Sequence, residues 1–248
     1  MYRWQLGHHV AFCVWRLLAE SLIAAGTDHQ TRTEHIETAA FLYDVYSSIF
    51  LYAGSCTPES YARVIRERMA QVEPAFSGRW ARDYEHVRAT LGSVHTEPGS
   101  VLRQALKRSR TAHMAMALRL VPSGVSLLKQ AGRPSNTAPT ERERDILDEF
   151  FLTARAAVSR VDFTQQAEER IIRVIDDIER APLVNSHPNV TVMQAQEDLV
   201  PLLKLLARYL KTAHCERKMA VPIISEMPNW AQHNVKPSDR PNPGVSRV

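Results

Sequence analysis

The stretch "GHHVAFCVWRLLAESL" (residues 7–22) predicts a long helix near the start of the chain. Its apolar side chains recur every three or four residues, which places them on one face of an α-helix. These side chains are Phe12, Trp15, Leu18 and Leu22. Two histidines, His8 and His9, precede the apolar run, so they are either capped and inert or face a ligand. We therefore expect a helix over residues 8–25 with a histidine pair where it enters a core.

Helical spacing continues through the rest of the chain, whereas the alternating pattern of strands is hard to find. Thr57 and Pro58 form a helix-start signal, because threonine caps a helix and proline suits its first turn. Pro201 is expected to kink or split the last helix. Further helices are expected at 33–53, 57–72, 98–121, 140–160, 163–181 and 190–213, with a loop and a short helix at 74–87. The sequence therefore predicts an all-α fold.

The length and composition fit a globular protein with a sizeable core. The chain has 248 residues, 44% of them hydrophobic and 23% charged, and a formal net charge of +4. Acidic residues are interleaved with the basic ones, so we expect no nucleic-acid partner. We place a single helical domain at residues 1–221. Prolines mark residues 222–248 as a C-terminal extension that is expected to be partly disordered.

Cysteine usage and the amino terminus bear on the cellular compartment. The three cysteines, Cys13, Cys56 and Cys215, are far apart and odd in number, which fits poorly with a disulfide framework. The first residues do not resemble a signal peptide, and the sequence indicates an apolar run too short to cross a bilayer. We therefore expect a cytoplasmic protein with no membrane partner.

A second histidine of interest, His113, lies in "SRTAHMAMALRL" (109–120). The spacing predicts that it sits in the middle of the helix's apolar stripe, between the small residues Ser109 and Ala117. An imidazole buried without a partner costs about 1–3 kcal/mol, so a partner is expected. Haem iron is one possibility, and a satisfied core histidine is the other. The cations of this helix either meet haem propionates or form a solvated face. They are Arg103, Lys107, Arg108 and Arg110.

Other catalytic patterns are weak. The sequence has no HExxH, Walker, GxGxxG or GxSxG motif. Asp83 and His86 resemble one of the elements that a di-iron helical bundle needs. A non-haem di-iron oxidase is therefore the alternative among metal enzymes. A non-enzymatic helical module that binds a partner through an apolar groove is the third hypothesis.

The opening helix resembles the distal helix of the haem-dependent aromatic oxygenases, the superfamily of tryptophan 2,3-dioxygenase. His8, Val10, Trp15 and Arg16, with the leucines that follow, take the places of that family's residues, the tryptophan being one position late. "AFSGRWARDY" (75–84) looks closer still to the bacterial haem-dependent L-tyrosine hydroxylases. The resemblance extends over most of residues 5–125. It implies a single all-α domain that encloses a haem.

The resemblance also implies the chemistry and its main residues. His113 falls where the family has its axial iron ligand, and His8, or alternatively His9, stands over the haem as the distal base. The implied reaction uses hydrogen peroxide to hydroxylate L-tyrosine ortho to the phenol hydroxyl. The product would be L-DOPA for antibiotic biosynthesis, and a homodimer is expected. A sister hydroxylase that acts on 3-methyltyrosine attaches its haem covalently through a cysteine, and this chain has Ala117 at that position. The resemblance therefore implies a non-covalent haem b.

The remaining candidates concern substrate and haem contacts. A zwitterionic amino acid needs a partner for its carboxylate, and Arg66 and Arg63 are candidates, with solvent-facing salt bridges as the alternative. Ser77 either contacts the substrate or a propionate, or belongs to a turn. Several aromatic side chains and one arginine are candidates for contact with the phenol ring or the haem. The alternative is that they belong to the core or to the solvated surface. They are Tyr43 for the substrate, Trp80 and Arg110 for the cofactor, and also Tyr46 and Phe50.

Overall fold

A computed structural model describes residues 1–94, 97, 99–134, 136–183 and 189–215 of the chain. Helices make up most of this part, and it contains no strand, which confirms the predicted all-α class. The predicted extension at 222–248 and the domain boundary before it lie outside the described residues. The fold is therefore an arrangement of helices in which one contiguous core is buried between them.

The α-helices follow one another in the order α1 to α11, with two short segments of other helical type. They are α1 (Tyr2–Thr27), α2 (Arg32–Ala53), α3 (Pro58–Ser60), a π-helical segment (Tyr61–Arg66), α4 (Glu67–Val72), a 3₁₀ turn (Gly78–Trp80), α5 (Arg82–Ser93), α6 (Val101–Leu120), α7 (Leu127–Gln130), α8 (Glu141–Phe150), α9 (Arg160–Arg180), α10 (Val190–Glu197) and α11 (Leu199–Cys215). Serine, threonine or asparagine caps most of the helices after α2, as at Thr57, where the side chain accepts from the backbone N–H of Ser60.

Helix α2 is the centre of the fold. Both α1 and α6 pack along it, without packing extensively on each other, and α10 and α11 also reach it. Helices α5 and α9 pack on α1. Helices α1 and α6 therefore flank α2, and we call them the two walls. Packed helix axes usually lie about 8–10 Å apart.

The closest approach between helices lies at the carboxyl end of α2. A Cβ atom placed on Gly7 of α1 would lie 2.6 Å from the Cβ of Ala53, which is too close for any side chain. The next residue, Gly54, is similarly tight against the sulfur of Met116 in α6. Two adjacent residues of the chain therefore set the distance of α2 from both walls.

The helix predicted over 140–160 ends at Phe150 in the structure, so the prediction is wrong for the residues after it. There α8 ends in a Schellman-type turn, in which the N–H of Thr153 donates to the carbonyl of Asp148 and the N–H of Leu152 to that of Glu149. Leu152 has a φ of 52°, a left-handed conformation that glycine usually supplies. No glycine marked this helix end, so the sequence pattern could not reveal it.

Two other predicted helices differ in detail. The helix expected at 57–72 is present, but its middle, Tyr61–Arg66, is π-helical. The helix expected at 190–213 is split at Asp198, and Pro201 lies in the first turn of the second part, where a missing N–H costs little. The splitting predicted from Pro201 is therefore confirmed, three residues before the proline itself.

The expectation that the first apolar run is too short to cross a bilayer is wrong, because the helix that contains it is long enough. Helix α1 is long and apolar enough to cross a membrane, with a mean hydropathy of 1.4, but 61% of that window is buried inside the fold. Burial by α2, α5 and α9 explains its apolar character, as in the core helix of a globular protein.

We expect Gly7→Ala to destabilise the protein although alanine is the better helix former. The new methyl group would meet Ala53, including backbone atoms that cannot move aside, at a cost of about 1–3 kcal/mol. Gly26→Ala in the same helix is the matched control, because nothing lies within 4 Å of its Cβ position. The control is expected to gain up to about 1 kcal/mol. Urea unfolding of both variants measures the difference, and equal stabilities would contradict the close-contact interpretation.

Candidate functional site

His8 lies on α1 in an aromatic environment. Its ring stacks on Phe151 with 4.4 Å between centroids, lies 4.5 Å from the ring of Trp4 and meets the edge of Phe12 at 6.3 Å. Nδ1 is 2.6 Å from the main-chain carbonyl oxygen of Trp4. The imidazole is therefore held on several sides by residues from two parts of the chain.

The hydrogen bond to Trp4 fixes which nitrogen of His8 carries the proton. A carbonyl oxygen only accepts, so Nδ1 must be the donor. Burial lowers the pKa of His8 to about 4, although the bond to Trp4 acts in the opposite direction. The ring is therefore neutral at pH 7, and Nε2 keeps a lone pair that can take a proton.

His9 has the opposite tautomer. Its Nε2 lies 2.6 Å from the carbonyl oxygen of Phe151 and donates to it, which leaves Nδ1 as the acceptor. Burial lowers the pKa of His9 as well. Phe151 thus contacts both histidines, through its ring and through its main chain, and links α1 to the end of α8.

Charged residues hold the end of α8 in place. The carboxylate of Asp148 is buried and accepts from Arg82 at 3.1 Å and from Arg155 at 2.7 and 3.0 Å. Arg144 donates through two nitrogens to Glu85 of α5. This network ties α8 to α5 and so fixes the position of Phe151 against the histidines.

His113 does not sit in the middle of the buried stripe, so that expectation is wrong. The buried face of α6 runs along Leu102, Ala105, Ser109, Ala112, Met116 and Leu120. His113 is one residue, or about 100° of helix rotation, beyond Ala112, and it is exposed. Its ring stacks on Phe50 at 4.8 Å, and neighbouring atoms remove enough hydration to lower its pKa. Within the described residues its imidazole has no hydrogen-bond partner.

A continuous row of ring contacts joins the two histidines. It starts at His8 on α1, crosses to α2 and ends at His113 on α6. The contacts are His8–Phe12 at 6.3 Å, Phe12–Trp15 at 5.8 Å, Trp15–Tyr46 at 5.2 Å, Tyr46–Phe50 at 6.0 Å and Phe50–His113 at 4.8 Å. Tyr46 and Phe50 are only partly buried. We call this set the aromatic row; its rings pack between the two histidines, and Phe12 and Trp15 are buried.

The other predicted contacts of cofactor and substrate rings are placed as follows. Arg110 is exposed on α6, one turn before His113. Trp80 is buried and packs on Phe76 at 5.6 Å. Tyr43 is buried on α2, one turn before Tyr46, and burial raises the pKa of its hydroxyl. The structure therefore places Arg110 near His113 and places Trp80 and Tyr43 in the core.

The predicted carboxylate contacts lie away from both histidines. Arg66 donates to the carbonyl oxygen of Val125 at 2.8 Å and to the side-chain oxygen of Gln130 at 3.2 Å, so it fastens the connector after α6. Arg63 is exposed on the π-helical segment. The hydroxyl of Ser77 accepts from the backbone N–H of Arg79 and caps the 3₁₀ turn. None of these contacts joins the aromatic row.

Two residues of the site were missed in the sequence. Trp4 stands four residues before His8, a helical spacing that places both on one face, and this spacing was a usable signal. The indole N–H of Trp4 is buried and has no partner among the described residues. Phe151 is 143 positions after His8, and nothing in a single sequence indicates that contact.

The described residues are compatible with a haem and give no support to a di-iron centre. They contain no group of three or more histidine, cysteine, aspartate or glutamate side chains placed to hold a metal ion. His113 offers a neutral imidazole with no other partner there, next to a partly open aromatic surface and a cation. One imidazole and an organic ring suit haem iron, whereas a di-iron site needs several carboxylates.

Comparison with known proteins found one family that the amino-terminal part of the chain resembles. Residues 1–101 match the family model described as SfmD 3-methyl-L-tyrosine peroxygenase. A search of curated proteins found no match. The matched part contains α1, α2 and α5, hence His8 and His9, and stops at the first residue of α6. The match covers 101 of the chain's 248 residues, so it is a likeness to that family over the first helices.

We expect His8→Gln to flatten the pH dependence of stability on the acid side. The pKa of His8 is about 4 in the folded protein, against an ordinary 6.5. Between these values the unfolded chain binds a proton that the folded chain refuses. The unfolding free energy of the wild type therefore falls as the pH drops below about 6.5, by up to about 1.4 kcal/mol per pH unit.

The measurement is urea unfolding of wild type and His8→Gln at about pH 7.5 and about pH 5. Other titrating groups contribute equally to both proteins and cancel in the comparison. The wild type should lose more stability than the variant on going to the lower pH. Parallel losses would show that His8 is not held neutral by burial.

Proposed function

We propose that this protein is a haem-dependent peroxygenase that hydroxylates L-tyrosine ortho to the phenol hydroxyl, giving L-DOPA for antibiotic biosynthesis. The observation that carries the proposal is the aromatic row, which begins at a histidine with a free Nε2 and ends at a histidine without a described partner. The match of residues 1–101 to a peroxygenase family supports the reaction class.

His113 would ligate the haem iron, and Arg110 would pair with a propionate. The neutral state of His113, which follows from its lowered pKa, leaves a ring nitrogen able to bind metal. Haem b, when bound, supplies the oxidising chemistry by which peroxide adds an oxygen atom to the ring. Ala117 has no thiol, so we propose that the haem is held without a covalent bond to this position.

His8 would act as the proton carrier for hydrogen peroxide. Its Nε2 accepts a proton from one peroxide oxygen, and returning that proton to the other oxygen releases it as water. The carbonyl of Trp4 keeps Nδ1 protonated, so the ring always presents its basic nitrogen on the same side. The indole N–H of Trp4, buried without a described partner beside this ring, is a further donor for an oxygen atom at this end of the aromatic row.

The aromatic row would orient the substrate's ring. Offset or edge contacts between aromatic rings are worth about 0.5–1.5 kcal/mol each, and several partly buried rings lie here together. We propose L-tyrosine rather than its 3-methyl derivative because Ala117 departs from the sister enzyme that acts on 3-methyltyrosine. The free thiols of Cys13 and Cys56 fit our further proposal of a cytoplasmic homodimer.

The activity test is incubation of haem-loaded protein with hydrogen peroxide and either L-tyrosine or 3-methyl-L-tyrosine. Mass analysis should find one added oxygen, and kcat/KM should be higher for L-tyrosine. A higher value for 3-methyl-L-tyrosine would correct the proposed substrate and leave the reaction class intact. No added oxygen on either compound would contradict the proposed function.

We expect His113→Ala to lose haem. Wild-type protein reconstituted with haem should have a Soret band near roughly 400 nm, and the variant should lose it because the iron has no axial imidazole. His86→Ala is the matched control, since His86 is exposed on α5 and belongs only to the di-iron alternative. It should keep the band. Wild-type protein that contains about two irons and has no Soret band would favour the di-iron alternative instead.

We expect His8→Ala to keep haem but to lose most peroxide-driven turnover. General acid–base catalysis contributes typically 10²–10⁴-fold, so kcat should fall on the order of 100-fold or more. His9→Ala is the comparison, because its Nε2 is already engaged with Phe151. Turnover measured at saturating peroxide and saturating L-tyrosine separates the two, because a change in substrate affinity then has no effect. A larger loss in His9→Ala would move the proton-transfer role to His9.

A further inference from the structure

A cavity of about 550 Å³ lies beside α1, and Phe12 of the aromatic row is one of its lining residues. Its walls come from α1, α5, α9 and the segment that follows α8. They include His9, Phe12, Arg16, Arg155, Phe163 and Arg170. Sites for small organic molecules commonly have this volume.

Positive charge dominates the cavity wall. Three arginines line it against one carboxylate, Asp83. Arg155 is already neutralised by Asp83 at 2.8 Å and by Asp148, and Arg16 is near Glu20 at 3.4 Å. The surplus charge favours an anionic ligand.

Arg170 is the cation that remains available. Its Nη1 donates to the carbonyl of Gln166 in its own helix at 2.8 Å. Among the described residues no carboxylate lies within ion-pair distance of it. Its guanidinium therefore has donors free for a carboxylate, and arginine binds carboxylates through two parallel hydrogen bonds.

Two further polar groups line the cavity. The hydroxyl of Thr153 is buried without a hydrogen bond to any described residue. His9 presents Nδ1 as an acceptor, since its Nε2 donates to Phe151. Buried polar groups are normally satisfied, so the hydroxyl of Thr153 indicates a polar ligand, to which Nδ1 of His9 offers an acceptor.

The cavity also has apolar walls and a strained rim. Phe12 and Phe163 line it as buried rings, with the guanidinium of Arg155 5.8 Å from the Phe12 ring and that of Arg16 4.9 Å from the Phe163 ring. Leu152 lines the cavity, is 81% exposed and is held at a φ of 52°. Strained backbone of this kind clusters at ligand sites.

From these observations we infer that the cavity binds an aromatic carboxylate, with the carboxylate on Arg170 and the ring against Phe12. The identification of the ligand as an aromatic amino acid rests on the proposed function. On this inference Arg170 takes the role that the sequence suggested for Arg66 and Arg63, both of which lie elsewhere.

The test is isothermal titration of haem-loaded protein with L-tyrosine, 3-(4-hydroxyphenyl)propionate and tyramine. Arg170→Gln should weaken L-tyrosine and the propionate by about tenfold or more, because a charge-assisted bidentate contact is lost. Arg173→Gln, an exposed residue of the same helix, is the control and should change neither. Tyramine has no carboxylate, so it should bind weakly and equally to all three proteins.

Alkylation locates the ligand. Cys13 lines this cavity and Cys56 does not. L-tyrosine should slow the reaction of Cys13 with iodoacetamide and leave that of Cys56 unchanged, as read by peptide mass analysis. This measurement needs no variant, so it holds even if Arg170→Gln folds poorly.

Unchanged L-tyrosine affinity in Arg170→Gln, tyramine binding as tightly as L-tyrosine, or unprotected Cys13 would each overturn the inference. L-tyrosine binding that depends on Arg170, in a haem-loaded protein that makes no hydroxylated product, would overturn the proposed function and leave the site standing. Turnover of L-tyrosine by Arg170→Gln with an unchanged KM for L-tyrosine would overturn the inferred site and leave the proposed function standing.

Discussion

The fold depends on how closely α1 and α6 approach the end of α2. Ala53 meets Gly7 on one side, with no room for a larger group at that glycine, and Gly54 contacts the flexible side chain of Met116 on the other. His8 is the residue after Gly7, and His113 lies less than one turn before Met116. The same close contacts that pack the helices thus set the two histidines on opposite walls above α2.

Electrostatics around this frame keep the histidines neutral and the frame rigid. Burial lowers the pKa of His8 and His9, and the neighbouring atoms that remove water from the exposed ring of His113 lower its pKa as well, so all three are neutral at pH 7. Charges that are buried are paired instead, as in the two-point contact of Arg108 with Asp44 between α6 and α2. Breaking such a pair leaves a buried charge and costs more than the pair contributes, so these contacts mainly fix geometry.

Much of the fold was predictable because helical periodicity and caps are local. The bounds of α2, the end of α9 and the start at Thr57 follow from spacing and capping that any reader of the sequence can find. The end of α8 was not predictable, because Leu152 occupies a position where glycine is the usual marker. The prediction put His113 on the buried face of α6, where the structure has Ala112, one residue earlier. A small residue such as alanine and a histidine are equally compatible with a buried stripe. The contacts of Phe151 and Arg170 join distant segments, and only the packed structure brings them together.

The bond between His8 and position 4 has an evolutionary consequence. The acceptor is a peptide oxygen, so any amino acid at that position in a continued helix supplies the same atom. Drift at position 4 can therefore alter the hydrophobic lining without altering which nitrogen holds the hydrogen. Related sequences are free to vary the indole and still inherit an imidazole of the same polarity.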